Sequence, residues 1–138
     1  MQYPTKRDLN TFVSLIQEGS YEITKHLPAI SEDWYVSVMD CIGYVKSTTK
    51  YNPDDLCAET SRILYKIVKK HGLTDSNKRT GVIVAYVFLL LNSYAIANPN
   101  ILKNAARQIA RTKGRVNEEL IISRVARKLS VAIVELDS

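Results

Sequence analysis

The unbroken apolar run GVIVAYVFLLL, at Gly81–Leu91, constrains the fold of this chain more than any other feature. Its apolar residues lie all around a helix rather than along one stripe, which is typical of a helix that is packed on every side. The run is too short to span a bilayer and contains Tyr86, so it predicts a buried core helix. With 138 residues, 46% of them hydrophobic and 24% charged, the chain is large enough to bury that helix in a single domain, 1–138.

Signals for helix starts and stops recur along the rest of the chain. Ser, Thr or Asn precedes several segments whose apolar residues have helical spacing, as N-caps do, and glycines follow such segments. Only 5 Gly and 4 Pro interrupt the sequence. We therefore predict an all-α fold of about six helices, in which no segment clearly indicates a sheet. The predicted starts are Thr5, Ser31, Asn52 (followed by Pro53), Asn77, Asn98 and Asn117, and the predicted stops are Gly19, Gly72 and Gly114.

The segment KSTTKYN, residues 46–52, lacks a helical period. Its threonines and its tyrosine favour extended backbone, so a short extended piece or hairpin is one interpretation. A plain loop fits the same residues equally well.

Cellular location is indicated by what the sequence lacks. The first ten residues, MQYPTKRDLN, contain no apolar stretch of the kind that a secretory signal needs. Cys41 and Cys57 stand sixteen positions apart, outside any metal-binding pattern, and we interpret them as reduced side chains packed in the interior. We expect a soluble cytoplasmic protein with no membrane partner.

Polar and charged residues crowd the start of the predicted core helix, in the stretch HGLTDSNKRT. Asn77–Thr80 would form its first turn, where backbone N–H groups lack intrahelical partners and the helix dipole is positive. Lys78 and Arg79 add two positive charges there, and arginine can grip phosphate oxygens with two N–H groups. The sequence thus indicates an anion site at this helix end.

Two further residues suggest chemistry at that site. Asp75 could carry Mg²⁺, which prefers one or two carboxylates together with phosphate oxygens. His71 is the one side chain nearby that takes a proton near neutral pH. A general base, a metal ligand and phosphate-binding side chains in one place suit phosphoryl or nucleotidyl transfer. The residue types alone support a second interpretation equally well. In it, Asp75 is a helix cap, His71 is a cation at a helix end, and Lys78 and Arg79 are solvated side chains.

The stretch resembles the signature HxFx(D/E)GNxR of the Fic/Doc family, and most closely its Doc (death-on-curing) branch, which reads close to HxFxDANKRT. Leu73 stands where the family has Phe, and Ser76 where it has Ala or Gly. The residues that match at the same spacing are His71, Asp75, Asn77, Lys78, Arg79 and Thr80.

The resemblance implies a Fic fold, an enzyme that uses ATP and Mg²⁺, and a role for each matched residue. His71 would be the general base that takes the proton of a protein hydroxyl, and Asp75 would hold Mg²⁺. Phosphate and nucleotide contacts would come from the first turn of the motif helix. Those residues are Ser76, Asn77, Lys78, Arg79 and Thr80.

Position 78 distinguishes two reaction classes within the family. Most Fic proteins have Gly there and transfer AMP, whereas Doc-like members have Lys and transfer the terminal phosphate. Lys78 therefore implies a kinase-type toxin that phosphorylates a Ser or Thr hydroxyl, with elongation factor Tu as the expected target and arrested translation as the result. AMP transfer to a protein hydroxyl is the alternative.

The resemblance also implies two partner elements. Family members present the target as a strand beside a flap hairpin, and residues 46–52 are the candidate flap by position. The family's inhibitory pattern (S/T)xxxE(G/N) is not matched, because Glu135 follows Ser130 by five positions rather than four. We expect a small antitoxin acting in trans instead.

A rival interpretation rests on charge. The chain carries a net charge of +5, and Lys103–Lys128 contains eight Lys or Arg against two Glu. A non-catalytic helical module that binds nucleic-acid phosphates would have such a tract. The solvated faces of two amphipathic helices would also have it, and helical spacing favours that explanation.

Overall fold

Six helices and two short strands make up the part of the chain that the computed structural model describes, residues 1–19, 23, 27–49, 55–70, 75–112 and 117–136. Side chains are described over the same ranges except at Asp75. In chain order the elements are α1 (Lys6–Gln17), α2 (Glu32–Thr48), α3 (Leu56–Val68), α4 (Asp75–Leu91), β1 (Tyr94–Ile96), α5 (Asn100–Arg111), α6 (Glu118–Ser130) and β2 (Ile133–Glu135). The predicted all-α class is confirmed.

The apolar run is the centre of the bundle, as its pattern predicts. Helix α4 contacts α1, α3, α5 and β1. It can do so because apolar residues occur on all its sides, so that each neighbour meets a surface it can bury. Its side chains that are at most 2% exposed are Val82, Ile83, Val84, Ala85, Val87, Phe88 and Leu89.

Three predicted caps are confirmed by their hydrogen bonds. Thr5 and Asp8 form a capping box at the start of α1, in which each side chain accepts from the other's backbone N–H. Ser31 accepts from the backbone N–H of Trp34 at the start of α2, and Asn117 caps α6 in the same way. Gly19, with φ of +82°, follows the C-cap of α1, where a left-handed residue favours glycine.

Two other helix starts differ from their predictions. Helix α3 begins at Leu56 with Asp55 as N-cap, and the Asp55 carboxylate accepts from the N–H of Ala58 at 3.0 Å. The predicted Asn52–Pro53 start lies outside the described residues. Helix α5 has Pro99 at its N-cap position, and the side chain of the predicted cap Asn98, one residue earlier, accepts from the backbone N–H of Asn100 at 3.0 Å.

The prediction of extended backbone at 46–52 is wrong for its first part. Helix α2 continues through Thr48, and residues 50–52 lie outside the described residues. The hydroxyls of Ser47 and Thr48 donate to the carbonyl of Tyr44, and that of Thr49 donates to the carbonyl of Val45. These local bonds satisfy polar groups within a helical last turn, which the β-propensity of threonine does not indicate.

The small sheet was not predicted. Strands β1 and β2 pair antiparallel, with Ala95 opposite Val134, and thereby attach the segment after α6 to the end of α4. Ser93, with φ of 67°, turns the chain between α4 and β1. Each strand is three residues long and the two are far apart in sequence, so neither shows the alternation by which strands are predicted.

None of the helices that the structure describes combines the length and the apolar character needed to cross a membrane.

Candidate functional site

The motif lies where α3 ends and α4 begins, and these two helices approach closely. A Cβ atom built on Gly81 would lie 2.9 Å from Cδ1 of Leu64 and 3.1 Å from Cγ2 of Val68. No side chain fits between the helices there, so the glycine permits their contact. The close packing fixes the first turn of α4 beside the last turn of α3.

The structure does not cover the whole motif. His71 and residues 72–74 lie outside the described residues, and so does the side chain of Asp75, whose backbone is the first residue of α4. The predicted base and the predicted metal ligand therefore have no described geometry. The described part of the motif is Ser76–Thr80.

The side chain of Asn77 joins the two helix ends. Its Nδ2 donates a hydrogen bond to the backbone carbonyl of Lys70. This carbonyl belongs to a helix end, where carbonyl groups lack intrahelical donors. The Asn77 amide thus stabilises the junction between α3 and α4. The phosphate contact that the sequence predicts for Asn77 would be a second role.

Thr80 is anchored in the core. It is 6% exposed, and its Oγ1 accepts a 2.9 Å hydrogen bond from the indole Nε1 of Trp34. Trp34 stands in the first turn of α2, so this bond connects the start of α2 to the start of α4. A buried indole N–H requires an acceptor, and Thr80 supplies it.

A polar cleft of about 230 Å³ opens at this junction, and we call it the α4 cleft. Ser76, Asn77 and Thr80 line one side of it. The other sides come from Ile67 and Lys70 at the end of α3, from Ala29 and Ser31 before α2, and from the first part of α2. The α2 residues are Asp33, Trp34, Ser37, Val38 and Cys41.

Lys70 gives the α4 cleft a positive charge in addition to the helix dipole. Its Nζ lies 3.2 Å from the backbone carbonyl of Ser37, a contact that holds the ammonium at the cleft. The preceding Lys69 is directed elsewhere, because its Nζ donates to the carbonyl of Thr112 at 2.6 Å. A negatively charged ligand in the cleft would therefore meet Lys70 and the N-terminal end of α4, together with the carboxylate of Asp33, which lines the same cleft and opposes these charges.

The first turn of α4 separates the predicted phosphate ligands into two groups. Ser76, Asn77 and Thr80 share the α4 cleft. Lys78 and Arg79 are half-buried, do not line this cleft, and interact with other groups of the protein. Because successive helix residues are about 100° apart, positions 78 and 79 project from other sides of the same turn.

A cysteine also lines the α4 cleft but is not poised as a nucleophile. Burial raises the pKa of the Cys41 thiol, and the positive charges of Lys70 and Lys66 offset this only in part. The reactive form of cysteine is the thiolate, which a raised pKa disfavours at neutral pH.

The described part of the candidate flap, residues 46–49, lies near the start of α3, whereas the motif follows the end of α3. Thr49 donates to Oε2 of Glu59 at 2.5 Å, whereas Ser37 meets Lys70, so α2 and α3 run antiparallel. Glu59 and Val68 are nine residues apart, which is about 14 Å along a helix. Residues 46–49 therefore lie away from the α4 cleft, and residues 50–52 of the candidate flap lie outside the described residues.

Sequence reasoning missed the residues that complete the α4 cleft, namely Lys70 and the α2 side chains. Lys70 lies at the end of α3, and its contact with Ser37 depends on how α2 packs. Nothing in the α2 sequence itself indicates proximity to the motif. The only local signal is a tryptophan, which often has a hydrogen-bond partner when it is buried.

Basic residues of α5 and α6 lie on exposed faces. Arg107, Arg111, Arg124 and Lys128 are all exposed, and Nζ of Lys128 donates to Oε1 of Gln108 at 2.8 Å. This arrangement is the solvated polar face that helical spacing indicates.

No three His, Cys, Asp or Glu side chains among the described residues come together as metal ligands do. Comparisons of the chain with family models, with curated proteins and with solved structures give no match.

Proposed function

We propose that this protein is a Doc-like phosphotransferase, which moves the terminal phosphate of ATP to a Ser or Thr hydroxyl of a protein. The single observation that carries the proposal is the position of the motif. Its described residues, Ser76–Thr80, lie in the first two turns of the most buried helix, beside a cleft that Lys70 and Asp33 also line. Together with the resemblance of HGLTDSNKRT to the Doc signature, this position favours phosphate chemistry over a simple helix cap.

The described donors fit a phosphate group. The Ser76 hydroxyl, the Asn77 amide and the Lys70 ammonium line the α4 cleft, and the first-turn backbone N–H groups lack intrahelical acceptors. Arg79 and Lys78 would add charge from the other sides of the turn. Asp75, at the start of α4, would hold Mg²⁺, which when bound neutralises phosphate charge.

In the proposed reaction, His71 accepts the proton of the target hydroxyl while that oxygen forms a bond to the γ-phosphorus. The bond between the γ-phosphorus and the bridging oxygen breaks, and ADP leaves. The chain's own residues bind and orient the phosphates, which is the main contribution of a protein to phosphoryl transfer. The Lys78 side chain, in place of the glycine of AMP-transferring relatives, is the basis for terminal-phosphate transfer.

Isotope labelling distinguishes this proposal from AMP transfer. The protein is incubated with Mg²⁺, elongation factor Tu, and ATP labelled at either the γ- or the α-phosphate. We expect label on the target from γ-labelled ATP alone, and none with the His71→Ala variant. Label from α-labelled ATP would overturn the assignment in favour of AMP transfer.

The same pair of proteins tests the proposed role as a toxin. Expression of the wild type should arrest growth and protein synthesis, and His71→Ala should relieve both. A cell lysate labelled from γ-labelled ATP would identify the target if elongation factor Tu is not phosphorylated. Arrest that persists in His71→Ala would contradict a catalytic toxin, and a small antitoxin acting in trans is the partner we propose for the active one.

A further inference from the structure

Four exposed cations of α5 and α6 lie close together on the surface. Arg107 and Arg111 are four residues apart on α5, and helix positions with this spacing are neighbours. Arg124 and Lys128 are neighbours on α6 in the same way. Gln108 connects the two pairs, because its Oε1 accepts a 2.8 Å hydrogen bond from Nζ of Lys128. We call Arg107, Arg111, Arg124 and Lys128 the basic face.

Acidic residues are absent from the basic face. The sequence from Ser76 to Asn117 contains no Asp or Glu. Glu118 and Glu119 follow, but they line a cleft with Arg62 and so face α3. Among the described residues, none of the four cations forms an ion pair with a carboxylate. The positive charge of the basic face is therefore not neutralised locally, and it attracts anionic partners.

The composition of the two helices favours a nucleic acid over an acidic protein segment as the partner. Protein interfaces depend on a few large apolar or aromatic side chains at their centre. Neither α5 nor α6 contains an aromatic residue, and the one large apolar side chain of these helices that is exposed, Leu120, lies in the first turn of α6. Beside the cations stand amides instead, and Oδ1 of Asn104 accepts from Nη1 of Arg107 at 3.5 Å. Arginine, lysine and amide side chains are groups with which proteins contact DNA phosphates.

The same helices favour double-stranded DNA over the other nucleic acids. Single strands bind by stacking their bases on aromatic side chains, which α5 and α6 lack. Domains that recognise double-stranded RNA by its shape contact about 16 base pairs, over two successive minor grooves. The two helices have only 12 and 13 residues. Each is therefore about 20 Å long, which suits a shorter contact with one stretch of phosphate backbone.

We propose that the basic face binds the phosphate backbone of double-stranded DNA, independently of base sequence. Each of the four cations contacts a phosphate and displaces counterions from the DNA, and this release of counterions drives the binding. None of the four residues lines the α4 cleft. DNA binding is thus an additional property of the protein and does not rest on the proposed phosphotransfer.

Fluorescence anisotropy of a labelled DNA duplex of about 20 base pairs, titrated with the full chain at about 50 to 200 mM NaCl, tests the proposal. Four phosphate contacts should give a slope of about −3.6 for the logarithm of the association constant against that of the salt concentration. The affinity should therefore fall about 150-fold over this range, and a duplex of unrelated sequence should behave alike. No binding at the lowest salt concentration, or tighter binding of a single strand or of duplex RNA, would overturn the proposal.

Double variants assign the binding to the basic face. Arg107→Gln with Arg111→Gln removes the two charges of α5, and Arg124→Gln with Lys128→Gln removes those of α6. All four residues are exposed, so both proteins should fold, which circular dichroism checks. Each double variant should reduce the magnitude of the salt slope by about 1.8, because two phosphate contacts are lost. A slope that stays at the wild-type value in both would show that DNA binds elsewhere.

The matched control removes two exposed cations from α1, by Lys6→Gln with Arg7→Gln. Its net charge equals that of the other double variants, and its salt slope should equal that of the wild type. An equal loss in the control would show that the net charge, rather than the basic face, determines DNA binding. Displacement of the DNA by polyglutamate at an equal concentration of charge would indicate an acidic protein partner. Either result would overturn the proposal.

Discussion

The indole N–H of Trp34 donates a 2.9 Å hydrogen bond to the hydroxyl of Thr80, across 46 positions of sequence. The bond is buried and connects the first turn of α2 to the second turn of α4. It therefore fixes the side of the α4 cleft that α2 supplies relative to the motif. The first prediction tests its contribution.

Thr80→Val should lower the free energy of unfolding by about 1–3 kcal/mol, because the buried indole N–H loses its acceptor while the side-chain shape is kept. Thr80→Ser retains the hydroxyl, so its free energy of unfolding should fall distinctly less than that of Thr80→Val. Urea denaturation followed by tryptophan fluorescence measures both. Equal losses in the two variants would show that the hydroxyl is not what matters.

Two glycines in helices provide a matched pair for packing. Gly81→Ala should destabilise the protein by about 1–3 kcal/mol, because its Cβ would lie too close to Leu64 and Val68. Gly43 is in α2, with nothing within 4 Å of an added Cβ. Gly43→Ala should therefore stabilise the protein by about 0.5–1 kcal/mol, the usual gain of alanine over glycine in a helix. Thermal and urea denaturation measure the change in stability of each variant, and the two changes should have opposite signs. A Gly81→Ala protein as stable as the wild type would contradict the close approach of α3 and α4.

Adjacent lysines test which charge serves the α4 cleft. Lys70→Met should weaken binding of Mg–ATP by about tenfold, the effect expected for one charge-assisted contact to phosphate. Lys69→Met removes an ammonium group that is bonded to the carbonyl of Thr112 instead. It should leave the affinity for Mg–ATP within about twofold of the wild-type value. Isothermal titration calorimetry measures both. A larger loss in Lys69→Met would place the nucleotide elsewhere.

The Tyr3–Glu59 pair predicts a dependence on alkaline pH. Burial, and after it the hydrogen bond to Glu59, raise the pKa of Tyr3 to about 12, above its ordinary value of 10.0. The stabilisation that Tyr3 provides is therefore fully present below pH 10 and is lost as the pH rises towards 12. Tyr3→Phe removes this titration and should also be less stable at neutral pH, since Glu59 loses a donor. The difference in unfolding free energy between wild type and Tyr3→Phe should thus shrink between about pH 9 and pH 12. A difference for Tyr3→Phe that does not change with pH would contradict the raised pKa.

Elements with local signals could be predicted before the structure was known. An apolar run without a polar face specifies a central helix, and α4 is that helix. Caps at Thr5, Ser31 and Asn117 were predictable because a capping side chain bonds to a backbone group only three residues away. The position of the motif at the first turn of α4 followed in the same way.

The contacts between distant elements could not be predicted in this way. The pairing of β1 with β2, the contact of Lys70 with Ser37 and the placement of Thr49 against Glu59 join residues far apart in the chain. Each depends on the relative packing of helices, which is set by the sum of many weak contacts rather than by a local pattern. For that reason the sequence specified the start of α4, whereas the walls of the α4 cleft came from the packing of α2 and α3 against it.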